Sequence, residues 1–305
     1  MDDQTVSDTI DYYLNLKYEA TLWEGIDLFA KIYRNHHELS GPGIQIPGGA
    51  YRSWFGDAPF DLIQDYRVKG NRTGFEVQTN YETGSTNTII AGITFEEQEQ
   101  YDVELYANFL DDGTVFSSIR DVSDMQNHNR DATRDFKAVF LEDIWNVTNN
   151  FRLTVGGRYD YYSDFGDHFS PRAGLTWEYI KGYDLKLLYG HAFRAPSFAE
   201  LYAQYYGNPD LGPETVDTYE LSLGAQFTPP FGGRATFYRS DMKDGIGMDV
   251  VDGGLVHWDN VAEVKYERFE FELKYNFRRG NYLAANYTYQ TFDFGDGDDG
   301  GMVPT

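Results

Sequence analysis

Residues 193–227 read FRAPSFAELYAQYYGNPDLGPETVDTYELSLGAQF. The front is aromatic and is broken by a proline. The middle, YGNPDLGPET, is dense in the residues that make turns. From Tyr219 the chain alternates, with Tyr219, Leu221, Leu223, Ala225 and Phe227 on one face and Glu220, Ser222, Gly224 and Gln226 on the other. That period of two is the signature of a strand and excludes a helix, whose apolar residues recur at 3.6. An ordered loop thus feeds a strand whose apolar face carries aromatic rings at both ends.

The same pattern recurs along the chain. In residues 268–277, RFEFELKYNF, the residues Phe269, Phe271, Leu273, Tyr275 and Phe277 oppose Arg268, Glu270, Glu272, Lys274 and Asn276. Residues 8–19, 151–161 and 282–290 alternate in the same way. Read strand by strand, the chain carries about 12 strands. They lie near 7–19, 26–35, 72–82, 87–98, 135–146, 151–162, 169–179, 184–194, 215–227, 233–241, 263–277 and 282–292. Connections alternate in length. Gly, Asn, Asp or Pro clusters of hairpin size fall near 21–25, 83–87, 147–150, 180–184, 228–233 and 278–281. Between them lie longer connections near 35–66, 99–134, 196–213 and 241–261, with a shorter one at 162–168.

Short turns at one end and long loops at the other are the layout of a transmembrane β-barrel. The alternative is a soluble antiparallel β protein. A soluble sheet buries its apolar face and fills it with Val, Ile and Leu. Here that face is rich in Tyr and Phe near strand ends, where a ring bridges lipid and water. The charged residues on the other face cannot fill a dry core. They must face water, or a polar body, inside a wide barrel.

Composition agrees. The 305 residues include 25 Tyr, 22 Phe and 31 Gly, a strand-and-turn balance. The net charge of −24 is the wrong sign for a nucleic-acid partner. No cysteine is present, so disulfides and thiolate metal sites are excluded. No apolar run reaches the roughly 18 residues of a membrane-spanning helix, a test blind to barrels.

Three phrases, in order, carry a resemblance. AVFLEDIW (138–145) followed by NFRLTVGGRYDYY, SPRAGL (170–175), and the opening stretch with FRAPSF-x-ELY, GNP-x-L-x-PE and Tyr-Glu resemble the TonB-dependent outer-membrane receptors. The resemblance is strongest over residues 135–227 and weaker to 292. It implies an all-β chain, an antiparallel portion of a transmembrane barrel with about 12 strands from a barrel of about 22. Residues 1–305 would form a single barrel domain with no plug domain, open at its two edge strands. Absence of a ladder between residues 7–19 and 282–292 is expected on this reading.

The implied partners are outer-membrane lipid and lipopolysaccharide, and the plug domain and remaining barrel strands of a longer chain. The TonB complex would be reached only through an N-terminal region outside these residues. The implied ligand is a ferric siderophore or a cobalamin-like compound, and no cofactor is implied. The family phrase, namely Phe193, Arg194, Pro196, Glu200, Tyr202, Asn208, Pro209, Pro213, Glu214, Tyr219 and Glu220, reads as structural rather than ligand-binding. Arg194 and Glu200 are suited to pair with each other or with neighbouring strands.

Two other functional classes stay open from sequence alone. One is an independent 12-stranded outer-membrane pore or barrel enzyme, and the other a soluble β-rich binding domain. No HExxH spacing, G-x-S-x-G or phosphate loop occurs. His36-His37 is a candidate metal pair, though a solvated pair is the plainer reading. The run DFGDGDDGG (293–301) resembles an acidic Ca²⁺ loop without the downstream Glu, so a solvated loop is preferred. The ligand candidates are Tyr51, Arg52, Trp54, Phe55 and Phe60 in the first long loop, and Tyr101 and Arg120 in the second. Rings beside an arginine suit an anionic ferric chelate, and equally suit packing of the loop on the wall.

Overall fold

The computed structural model describes residues 7–46, 60–126, 129–204, 206–251 and 255–295. Their strands form one antiparallel sheet. In chain order they are β1 (Asp8–Trp23), β2 (Ile26–Ile46), β3 (Leu62–Thr83), β4 (Asn87–Phe109), β5 (Val115–Asp121), β6 (Ala132–Thr148) and β7 (Phe151–Tyr162). Then come β8 (Gly166–Ile180), β9 (Tyr183–Arg194), β10 (Glu214–Thr228), β11 (Phe231–Val251), β12 (Leu255–Asn276) and β13 (Tyr282–Phe294). One short helix, α1 (Phe198–Tyr202), lies between β9 and β10. Every strand pairs with its neighbours in sequence except β5, which sits off the path against β4. The strands β1 and β13 are the two ends of the path and do not pair with each other, so the sheet is open.

The two faces are reversed relative to a soluble sheet. On β6 the residues Arg134, Phe136, Ala138 and Glu142 are buried, whereas Val139 and Leu141 between them are 50% and 59% exposed. The register joins the exposed residues into continuous rows. One row runs Trp145–Leu153–Leu175–Leu187–Leu221–Phe237–Phe269–Tyr289 across eight strands. Another row, Phe151–Trp177–Leu185–Leu223–Ala235–Phe271–Tyr287, lies nearer the short turns. Rows of the opposite face are polar, as in Glu142–Gly156–Arg172–Gly190–Thr218–Ser240. An apolar face left this exposed needs a lipid solvent, and the strands supply the backbone hydrogen bonds that lipid cannot.

The short turns are built as the sequence indicates. Gly25 and Gly182 take φ values of +79° and +84°, a region closed to most side chains, and each carbonyl receives an N–H from the next strand over. On the polar face Gly224 lets two strands interact across a third. Asp184 and Arg234, its register neighbours on either side, pair at 2.9 Å over its bare Cα. A Cβ there would lie 2.2 Å from Asp184 Oδ1.

Two expectations are corrected. The connections at 35–66, 99–134 and 241–261 are in large part strand: β2, β3, β4, β11 and β12 are 21 to 23 residues long and continue past the expected ends. Past the expected ends the ladder continues and the protein itself covers one face in places: Leu105 and Ala107 of β4 pack with Val122 beside Tyr66, Leu110 and Phe116, and Ile246 of β11 packs with Leu201 and Leu211. The second long connection also folds into β5, giving thirteen strands among the described residues.

Candidate functional site

The long connections gather at one end of the sheet, and the segment 195–213 braces that end. Its start is a capping box. The Ser197 hydroxyl accepts from the Glu200 N–H at 3.2 Å, and the Glu200 carboxylate accepts from the Ser197 N–H at 2.6 Å. The same carboxylate takes both Nη atoms of Arg194, each at 3.0 Å. Arg194 Nε reaches Glu214, and Glu214 Oε1 accepts from the Ile246 N–H at 2.8 Å. One arginine thus joins the end of β9, the helix and the start of β10, and Glu214 carries the chain of contacts onto β11.

Burial opposes ionisation of Glu200 and Glu214. The hydrogen bonds from Arg194, with those from the Ser197 and Ile246 amides, outweigh it and hold both carboxyls below their ordinary range. The bond to Glu214, then those to Glu200, raise Arg194 further.

The far side of the brace docks on the β11–β12 hairpin. Leu201, Leu211 and Ile246 form a buried cluster covered by Tyr202 and Trp258. Asn208 donates to the Trp258 carbonyl at 3.0 Å, and the Trp258 N–H donates to the Tyr206 carbonyl at 2.8 Å. Asn260 serves three backbone groups. Its Oδ1 accepts from the Gly212 N–H at 2.9 Å, and its Nδ2 donates to the carbonyls of Gly212 and Asp244 at 3.1 and 2.7 Å. Asp244 has φ +55° beside register shifts at Met242, Gly245 and Ile246, so Asn260 pins the hairpin where it bends.

The near side docks on β6 and the β7–β8 turn. Arg134, 4% exposed, donates to Asp164 at 2.8 Å and to the Pro196 carbonyl at 2.9 Å, with Phe198 4.7 Å from its guanidinium. Pro196 is fully buried. The Tyr202 hydroxyl donates to Asp164 at 3.3 Å, and Arg130 lies 4.6 Å over its ring. Phe193 meets Tyr162 edge-on and His168 at 4.5 Å. Beyond Arg172↔Gly190 the β8–β9 ladder ends, and there His168 and His191 meet head to head, Nε2 to Nε2 at 2.8 Å, with Asp217 on the far nitrogen of His191.

The remaining phrase residues are spread along the brace and β10. Pro209 is in the turn after Asn208, and Pro213 directly precedes β10. Tyr219 lies on the apolar face against Tyr189, and Glu220 is half-buried on the polar face between Leu188 and Tyr238.

The ligand candidates are not gathered into one site. Tyr51, Arg52, Trp54 and Phe55 lie outside the described residues. Phe60 is half-buried just ahead of β3. Tyr101 is on β4 opposite Lys69, while Arg120 is on β5 opposite Ala107, its guanidinium 3.9 Å from the Phe116 ring. Along β4 these two points are about 20 Å apart. His36 binds Asn71 at 3.0 Å and His37 binds Asp11 at 2.7 Å, so the histidines diverge, and no metal-holding cluster occurs among the described residues. Of the acidic run, Asp293 and Phe294 end β13, Gly295 follows them, and the rest lies outside the described residues.

Sequence reasoning missed Arg134, Asp164, Trp258 and Asn260. Each acts through partners 16 to 62 residues away, and nothing local marks them.

The family model for TonB-dependent receptor-like β-barrels matches residues 1–305. The chain is 28% identical over 279 residues to the iron-regulated outer membrane virulence protein of Vibrio cholerae serotype O1, an alignment covering 84% of this chain and 39% of that protein. Among solved structures, the ferric enterobactin receptor of Pseudomonas aeruginosa superposes with a TM-score of 0.72 at 18% identity, over 93% of this chain and 43% of the other. A copper transporter superposes with a TM-score of 0.68 at 16% identity, over 92% and 46%. The chain therefore spans less than half the length of each of these proteins.

Proposed function

The chain belongs to the TonB-dependent receptor-like β-barrel family of the outer membrane, and from that premise we propose that it is the central wall of an importer for an iron–siderophore or a similarly scarce nutrient. The observation that carries the reading is the pairing of two features on one sheet. An exposed apolar face suits lipid, and a braced rim of long hairpins stands at one end only. A soluble binding domain has no use for the first, and a plain pore has little use for the second.

On this reading residues 1–305 are one barrel portion, and the free edges of β1 and β13 pair with further strands of a barrel of about 22. A plug domain fills the polar lumen, and energy reaches it from the TonB complex. No covalent chemistry is required, and the family is one of receptors rather than enzymes. The names of the relatives support iron as cargo. The copper transporter shows that one fold serves more than one metal.

The cargo-facing residues are proposed to be Tyr51, Arg52, Trp54 and Phe55 of the segment between β2 and β3, with Phe60, Tyr101 and Arg120. Whole-cell binding of labelled ferric siderophores, with and without Tyr51→Ala, Arg52→Ala and Trp54→Ala together, tests this. The expected result is a loss of about tenfold or more in affinity with normal barrel assembly. Unchanged binding removes that segment from the site. No uptake of any ferric chelate by iron-starved cells overturns the function.

A further inference from the structure

Past Arg172↔Gly190, where the β8–β9 ladder stops, the two strands no longer match face to face. His168 and Tyr162 share the polar face with Arg172 and Gly156. His191 and Phe193 share the apolar face with Tyr189. Yet His168 meets both His191 and Phe193, and Tyr162 meets Phe193. Contact between the polar face of one strand and the apolar face of the next means that the tip of the β7–β8 hairpin leans outward over β9. At this seam the two imidazoles have Nε2 atoms 2.8 Å apart, ring centres 4.9 Å apart and planes within 18°. The centres are separated by almost two ring radii more than the nitrogens, so both nitrogens lie on the line between them and point at each other. One proton fits between facing nitrogens, and two do not. A metal ion does not suit that line, because it needs both lone pairs to converge on a point about 2.0 Å from each nitrogen.

Asp217 fixes where the protons sit. Its Oδ1 accepts from His191 Nδ1 at 2.9 Å and from the Tyr189 hydroxyl at 2.9 Å. A neutral His191 therefore presents a lone pair at Nε2, and His168 Nε2–H donates to it. A first added proton goes to His168 Nδ1 and leaves that bond intact. A second places an N–H on each side of the gap. The charges around the pair are few. Asp160 of β7, bound to Arg158, lies opposite His168 in the ladder, and Asp167 directly precedes it. On β11, Asp241 faces Asp217 and is held by Arg239, with Lys243 two residues on. Beyond Phe193, Arg194 and Arg134 are engaged by Glu200, Glu214 and Asp164. The acids favour one added proton on the pair, and the head-on contact refuses the second.

We propose that the His168–His191 contact is an acid-released latch, which holds the seam closed with at most one added proton and opens it when both rings are charged. The same hairpin carries Asp164, the anchor of Arg134 and Tyr202, so an open seam loosens the near side of the brace while Asn260 still holds the far side. Below the ordinary histidine range, near pH 6.5, the open seam binds two protons and the closed seam one, so closure is lost as pH falls. One proton of difference multiplies the open-to-closed ratio about tenfold per pH unit.

The test uses the full-length receptor in lipid vesicles, with spin labels on cysteines introduced at Phe169 and Ala192, both exposed and on opposite sides of the seam. Pulsed electron resonance reads the distance between them. From about pH 6 to about pH 5 the wide population is expected to rise about tenfold relative to the narrow one. His168→Gln and His191→Gln each leave one titrating ring beside a neutral amide that accepts its N–H, so both variants are expected to keep the narrow distance at either pH. A distance that does not respond to pH in the unsubstituted pair overturns the proposal. An equal response in both Gln variants also overturns it, assigning the opening to Glu200 and Glu214. A chelator that widens the seam at neutral pH shows a bridging metal in place of the proton, and the proposal fails. Deuterium uptake at the histidine C2 positions, followed by mass spectrometry, reads each ring's charge without substituting either histidine. The second proton is expected to arrive only as the seam opens, and two charged rings in a closed seam contradict the latch.

Discussion

The strands β7 and β9 are 12 residues long, and β4 and β12 are 23 and 22. In the short strands the alternation of apolar and polar residues runs almost from end to end. In β4 it breaks over the polar run 96–100, where the ladder goes on through Glu97 and Glu99, and then resumes with Val103, Leu105, Ala107 and Phe109 buried inside the extension. The difference teaches that hydrophobic alternation records the solvent on each face and not the strand itself. Where one face meets lipid the pattern is strict. Over the polar run 96–100 it is lost, and where the protein covers one face, as at Leu105 and Ala107, it returns beyond an irregularity at Asp102, whose φ is +49°.

That comparison is broken most directly by placing the same charge on two equally exposed apolar residues. Leu221 is 39% exposed within the lipid-facing row, and Ile119 is 46% exposed on β5 in the extension. Leu221→Arg is expected to cost about 2–4 kcal/mol near the bilayer midplane, read as a shift in the urea midpoint of the receptor in lipid vesicles. Ile119→Arg is expected to change it by no more than about 0.5 kcal/mol. Equal costs would erase the distinction between the two regions.

The extension is held by its own buried clusters and polar links, where the wall depends on lipid. Asn260→Ala removes the partner of the Gly212 N–H, the Gly212 carbonyl and the Asp244 carbonyl. It is expected to destabilise the brace locally by about 1–3 kcal/mol, seen as faster proteolysis within 203–213. The wall should not respond. Loosening of β7 to β9 in hydrogen exchange would show that brace and wall fold as one unit.

Acid separates the regions a third way. Glu200 and Glu214 titrate below their ordinary range, so the unfolded brace binds protons more readily than the folded one. Their stabilisation is complete above the ordinary carboxylate range and is lost as pH falls through the depressed values. Hydrogen exchange of the Ile246 and Ser197 amides is expected to accelerate over that interval, ahead of any amide in the lipid-facing rows. A small effect is expected of Gly224→Ala, which pushes Asp184 off Arg234. That partly solvated pair contributes about 1 kcal/mol or less, measurable as a modest drop in the urea midpoint.

How much was legible follows from the same physics. Every strand of the main path was marked by alternation, and every short turn by Gly, Asn, Asp or Pro, because lipid and tight turns both act on local sequence. The ordered phrases around Phe193 and Glu214 placed the family. The extensions of β2, β4, β11 and β12 were not legible: β4 crosses the polar run 96–100 before its alternation resumes, and the glycines and proline within β2 and β11 read as turns. The brace was half legible: Arg194 and Glu200 stand six residues apart in one phrase, whereas Asn260 and Arg134 reach it only through the fold.

The central claim is that the face carrying Leu221 meets lipid and the face carrying Ser222 does not. Spin labels at Leu221, Ser222 and Ile119 of the receptor in vesicles test it directly. The account predicts that oxygen, which partitions into lipid, relaxes the label at 221 most strongly. A water-soluble nickel chelate should relax the label at 119, and the label at 222 should report little oxygen. Strong oxygen relaxation at 222 with none at 221 would contradict it.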